Sequence, residues 1–116
     1  MSANNQKPAR ASDELVSVSD WQACYNSGDN VIALSCKVTT VDAHATISGA
    51  GLILNNSAGA TLGSSYTEFG GVESVTVALN LPPGGVSIGD SVMGVVTGEV
   101  QGQHYFVEQQ LTVASC

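Results

Sequence analysis

Residues 74–81 read Ser-Val-Thr-Val-Ala-Leu-Asn-Leu, and the alternation in this stretch decides the class of fold. Val75, Val77, Leu79 and Leu81 fall on one side of an extended chain, and Ser74, Thr76, Ala78 and Asn80 on the other. Successive side chains of a strand point to opposite faces, so a period of two marks a half-buried β-strand. Pro82-Pro83-Gly84-Gly85 end it abruptly, because proline has no N–H to give to a ladder.

The same pattern extends in both directions. Ile32, Leu34, Cys36 and Val38 alternate with Ala33, Ser35, Lys37 and Thr39. At Thr40–Val41 the parity flips to Val41, Ala43, Ala45 and Ile47, which requires a turn or a bulge. Leu15, Val16 and Val18 open a first strand that is expected to end near Trp21, before a turn over Asn26–Asn30. Residues 47–54 form another strand, in which Gly49 and Gly51 are small positions that admit close approach. Residues 55–63 are turn-rich, and Tyr66 and Phe69 are expected to flank a loop closing on Gly70-Gly71. Val92–Val100 and Tyr105–Val113 are strands joined by a hairpin turn at Gln101-Gly102. No stretch of a dozen residues carries a helical 3.6 period.

These elements give an all-β domain, about seven strands in an antiparallel β-sandwich of immunoglobulin-like architecture. A jelly roll or small β-barrel is the alternative. The chain departs from the immunoglobulin signature itself, because Trp21 precedes all three cysteines instead of lying between a bridged pair. At 116 residues the chain is one domain. Residues 1–13 are polar and aperiodic and read as an N-terminal arm, with the sandwich over 14–116. The first residues lack the apolar stretch of a signal peptide, and no segment is long and apolar enough to insert as a membrane helix.

Charge is unevenly placed. Between Val38 and Cys116 there is no Lys or Arg. Residues 14–116 carry nine acids against the single Lys37, a net of −8, whereas the arm carries Lys7 and Arg10 against Asp13. Such a body repels phosphate, so nucleic acid and anionic lipid are excluded as partners. Edge strands are usually guarded by lysines, and here they are not. One resolution is that copies of the chain, or another assembly component, cover them. Lys7 and Arg10 are then candidates for an assembly arm that reaches an acidic neighbour.

Cys24, Cys36 and Cys116 allow three different single bridges. Cys24 and Cys36 flank the turn over Asn26–Asn30, so that pairing is preferred; Cys36–Cys116 or a link between chains through Cys116 are the alternatives. A bridge places the protein outside the cytoplasm, at a cell surface or in a virion. No C-x₂-C spacing supports zinc, and Asp42 with His44 and His104 makes too thin a set for a metal, so no metal or cofactor is expected. Ser87 has the G-x-S-x-G spacing, in Gly85-Val86-Ser87-Ile88-Gly89, but it follows Pro82-Pro83 with no helix after it, so it makes no strand-to-helix nucleophile elbow, and no catalytic set emerges. Asn55-Asn56-Ser57 is a glycosylation sequon in a turn. Among the aromatic residues, Tyr66 and Phe69 are the candidates for a ligand platform, and Tyr105 and Phe106, being adjacent, must face opposite ways. The expected function is therefore non-enzymatic: a structural or decorating subunit of a capsid, fibre or surface layer. The alternative is an adhesion module that binds glycan or protein.

Overall fold

A computed structural model of the chain describes residues 15–116. Eight strands follow one another: β1 (Val16–Asn26), β2 (Val31–Thr40), β3 (Ile47–Asn55), β4 (Thr61–Val72), β5 (Ser74–Leu81), β6 (Ser91–Val100), β7 (Gln103–Thr112) and the short β8 (Ala114–Ser115). They form two four-stranded sheets, in the orders β5-β2-β1-β8 and β4-β3-β6-β7. All neighbours are antiparallel except β8, which runs parallel to β1. The architecture is the expected β-sandwich.

Binary pattern explains the core. Ile32, Leu34, Cys36 and Val38 of β2 are fully buried, and they face Ala50, Leu52 and Leu54 of β3 and Val92, Val96 and Val100 of β6. Turn chemistry explains the connections. Asn26 accepts from the N–H groups of Gly28 and Asp29 and closes the β1–β2 hairpin. Gln101 and Gly102 have φ of 50° and 84°, the paired positive values of a type I′ turn, whose twist matches that of the flanking strands. Asp90 accepts from the N–H of Ser87 at 2.9 Å and holds the turn before β6.

Three expectations are corrected. The first strand does not end near Trp21. It passes through a bulge, in which Asp20 and Trp21 together oppose Cys36, and Asp20 takes φ 56°. The extra residue moves the inward set from Val16 and Val18 to Ala23 and Tyr25, so no single alternation spans the strand. The bulge also aims Trp21 across the sandwich at Gly94, where a Cβ would lie 2.7 Å from its ring.

Second, residues 61–72 form the strand β4, not turns and a loop. Its register with β3 slips twice, and its inward positions Ser65 and Thr67 are polar and exposed, so the pattern that betrays a strand is missing.

Third, the disulfide joins Cys24 to Cys116, with Cα atoms 5.0 Å apart, and Cys36 is a free, buried thiol. Cys24 stands opposite Ala33 on the outward face of its sheet, while Cys36 faces inward three residues farther along β2. Two thiols on opposite faces of one hairpin cannot meet. Cys116 arrives instead beside β1, where its N–H donates to the carbonyl of Tyr25 at 3.1 Å. Lys7, Arg10 and the arm over 1–13 lie outside the described residues.

Candidate ligand-binding face

The outer face of β4-β3-β6-β7 carries two exposed aromatic residues and three carboxylates. Four positions stand in one row across it: Tyr66, Gly51, Thr97 and Phe106. With strands about 4.8 Å apart, the two aromatic residues are about 14 Å apart at their Cα atoms, on the two edge strands. Tyr66 is 54% exposed and Phe106 42%. Below lies the row Glu68, Gly49, Glu99, His104, and above it Ser64, Ile53, Val95, Glu108. Asn55, Met93 and Gln110 end the face at a groove of about 440 Å³, which Glu108 also lines.

Glycine shapes the middle of this face. The Tyr66 ring lies lengthwise along β3, and a Cβ on Gly51 would stand 2.8 Å from its Cδ2. The phenol ends over Gly49. An aromatic side chain that covers strand glycines restores the packing they lack. Burial, then Glu99, then Glu68 raise the Tyr66 pKa, so its hydroxyl stays a donor beside two carboxylates. His104 Nε2 lies 3.6 Å from Glu99 Oε2, an exposed pair of little energetic weight. Behind the sheet, Tyr105 is buried, donates to the Gly49 carbonyl at 3.0 Å, and has its pKa raised by burial first and then by Tyr66 and Cys36.

Of the candidates read from the sequence, Tyr66 is on this face and Phe69 is not. Three residues apart on a strand they face opposite ways, and Phe69 packs against the core. Phe106 takes the place expected of Phe69. The signal that points to it is its pairing through Thr97 and Gly51 with Tyr66, which only the register reveals. Trp21, Tyr25 and Tyr105 pack inward. Asp42 accepts from the N–H of His44 at 2.9 Å in a tight turn, and the His44 carbonyl accepts from Gln101 at 3.5 Å, in the turn before the strand that carries His104. Among the described residues no group of three or more His, Cys, Asp or Glu side chains is placed to hold a metal ion.

No family model matches the sequence, and no curated protein matches it either. Solved structures share the fold. A DUF3823 family protein from Bacteroides ovatus aligns over 86% of this chain and 55% of its own, at 17% identity and a TM-score of 0.58. A DUF3823 family protein from Parabacteroides merdae aligns over 84% and 52%, at 14% identity and 0.54. A β-glucuronidase of Parabacteroides merdae aligns over 86% of this chain but 13% of its own, at 11% identity and 0.55. The chain thus spans about half the length of the two DUF3823 proteins, and at these identities the likeness is one of fold: this sequence folds as a β-sandwich that also occurs within larger proteins.

Proposed function

We propose that the domain is a non-enzymatic contact module, a decorating or adhesion subunit that holds a neutral glycan on the outer face of β4-β3-β6-β7. The observation that carries this reading is the row Tyr66–Gly51–Thr97–Phe106, two exposed aromatic rings on one face of a rigid sheet. Exposed aromatic residues offer large apolar area at low entropic cost, and the phenol adds a polar handle. On the same face Thr97 donates to the Tyr105 carbonyl, Asn55 accepts from Thr61 and Gln110 donates to Ser91, which leaves the Thr97 lone pairs, the Asn55 amide N–H groups and the Gln110 amide oxygen for a ligand, and Glu68, Glu99 and Glu108 supply strong acceptors for sugar hydroxyls. Those carboxylates also repel sulfated and uronic acid polymers, since the only Lys or Arg among the described residues is Lys37, in the other sheet.

Contact is favoured over catalysis because Glu68 and Glu99 stand on the outer face of a sheet, where water reaches both carboxylates. The disulfide supports an extracytoplasmic setting, at a cell surface or in a virion. The β-glucuronidase that carries this fold in 13% of its chain is an example of the sandwich within a larger protein.

A glycan array probed with the full chain tests the reading. Neutral glycans should be retained and sulfated ones should not. Tyr66→Ala and Phe106→Ala should each weaken the best ligand about tenfold or more. Retention of no neutral glycan, or affinity indifferent to both substitutions, would sink the proposal.

A further inference from the structure

Among the described residues four strands stand at sheet edges: β5 and β8 in the first sheet, β4 and β7 in the second. An exposed edge is a template for another chain unless something blunts it. Strand β8 is two residues long and lies beside the disulfide. Strand β4 slips register twice, carries Glu68, and bends at Gly71 with φ 103°. Strand β7 carries His104 and Glu108. Strand β5 has no such device. Ser74–Leu81 contains no charge, proline or glycine, and it pairs with β2 over eight consecutive positions without a slip. Its inward side chains are also incompletely covered. Val75, Val77 and Leu81 are half-buried, although their partners Val38, Cys36 and Ile32 on β2 are at most 1% exposed.

We propose that β5 pairs antiparallel with β5 of a second copy about a two-fold axis at Val77, joining two four-stranded sheets into one of eight strands. The register follows from the hydrogen bonds. Thr40 donates to the Glu73 carbonyl at 3.0 Å, so Thr40 and Glu73 form a hydrogen-bonded pair. Such pairs alternate along an antiparallel ladder. Val75, Val77, Leu79 and Leu81 therefore turn their backbone groups toward β2, and Ser74, Thr76, Ala78 and Asn80 turn theirs to the open edge. A two-fold axis at Val77 sets Ser74 opposite Asn80 and Thr76 opposite Ala78, and satisfies every one of those open groups. Moving the axis to Ala78 sets Ser74 against Pro82, which has no N–H, and loses a pair. With the axis at Val77, Val77 meets Val77 and Val75 meets Leu79 on the inward side, extending the apolar strip across the junction. The outward contacts are small and uncharged, so no like charges face each other. An isologous contact of this kind closes at two copies.

This interface is separate from the glycan face and is tested separately. Sedimentation of the full chain across concentrations should show a mass twice 11.8 kDa. Ala78→Lys projects a charge from the outward side of the edge and should give a monomer, at least tenfold weaker in association, with an unchanged far-UV spectrum and unchanged glycan retention. The double variant Thr76→Cys with Ala78→Cys should form a covalent dimer on mild oxidation. Ser74→Cys with Ala78→Cys should not, because those positions do not face each other in this register. A wild-type chain that stays monomeric, or a dimer that survives Ala78→Lys, overturns the proposal.

Discussion

Cys36 sits in the middle of β2, and burial pushes its pKa up to about 12 from an ordinary 9.0. The unfolded chain ionises this thiol as pH passes 9, while the folded chain does so near 12. The stabilisation is complete below pH 9 and is lost as pH rises toward 12, at about 1.4 kcal/mol per pH unit. Urea midpoints taken from neutrality to above about pH 10 should fall more steeply in the native chain than in Cys36→Ala. Tyr105 offers a second test at this scale. Tyr105→Phe leaves the Gly49 carbonyl without its buried donor and should cost about 1–3 kcal/mol in urea unfolding. Tyr66→Phe, altering an exposed phenol, should cost far less. That Tyr105 and Phe106 face opposite ways follows from the periodicity of their strand. The partner of Tyr105 does not, because a bond to a backbone carbonyl 56 residues away leaves no mark in local sequence.

At the scale of elements, the strands with clean alternation were legible and the irregular ones were not. Strands β2 and β5 pair without a slip, and their periods are plain in the sequence. Strand β1 hides a bulge at Asp20–Trp21 that reverses its parity, and β4 exposes polar residues at inward positions. The disulfide is not legible in the spacing, because short spacing suggests a local clip, whereas facing, not spacing, decides which thiols meet. Closing a separation of 92 residues confers more than closing a short hairpin. In the loop-entropy description it is worth about 4–5 kcal/mol. Reduction, or Cys116→Ser, should lower the unfolding free energy from urea titration by that order, whereas Ser115→Ala in β8 should change it little. Trp21→Ala should cost about 3 kcal/mol, since it empties the space over Gly94 between the sheets.

The whole molecule carries a net charge of −7, and any two copies repel. Pairing through β5 must overcome that repulsion, so it should strengthen with salt. The Debye length falls from about 30 Å at 0.01 M to about 8 Å at 0.15 M ionic strength, which screens most of the interaction between the bodies. Sedimentation at these two salt concentrations should show the tighter dimer at the higher one, the reverse of an ion-paired interface. The lack of cations that marks the chain from Val38 onward is therefore placed in two ways: it leaves one face acidic around its aromatic row, and it leaves one edge open.

Gly49 lies where those two tyrosines approach the sheet from its two sides, Tyr105 bonded to its carbonyl and Tyr66 lying over its Cα. Only one thickness of main chain separates the solvent surface from the interior at that point, with no side chain between to absorb a displacement. A ligand that lifts or presses the Tyr66 ring will therefore alter the backbone that Tyr105 holds. The amide resonances of Gly49 and of Gly98, against which the Gly49 carbonyl and the Tyr105 hydroxyl pack, and the ring signals of Tyr105 should shift when a ligand meets Tyr66 on the outer face, which would make this strand segment a built-in spectroscopic gauge of occupancy.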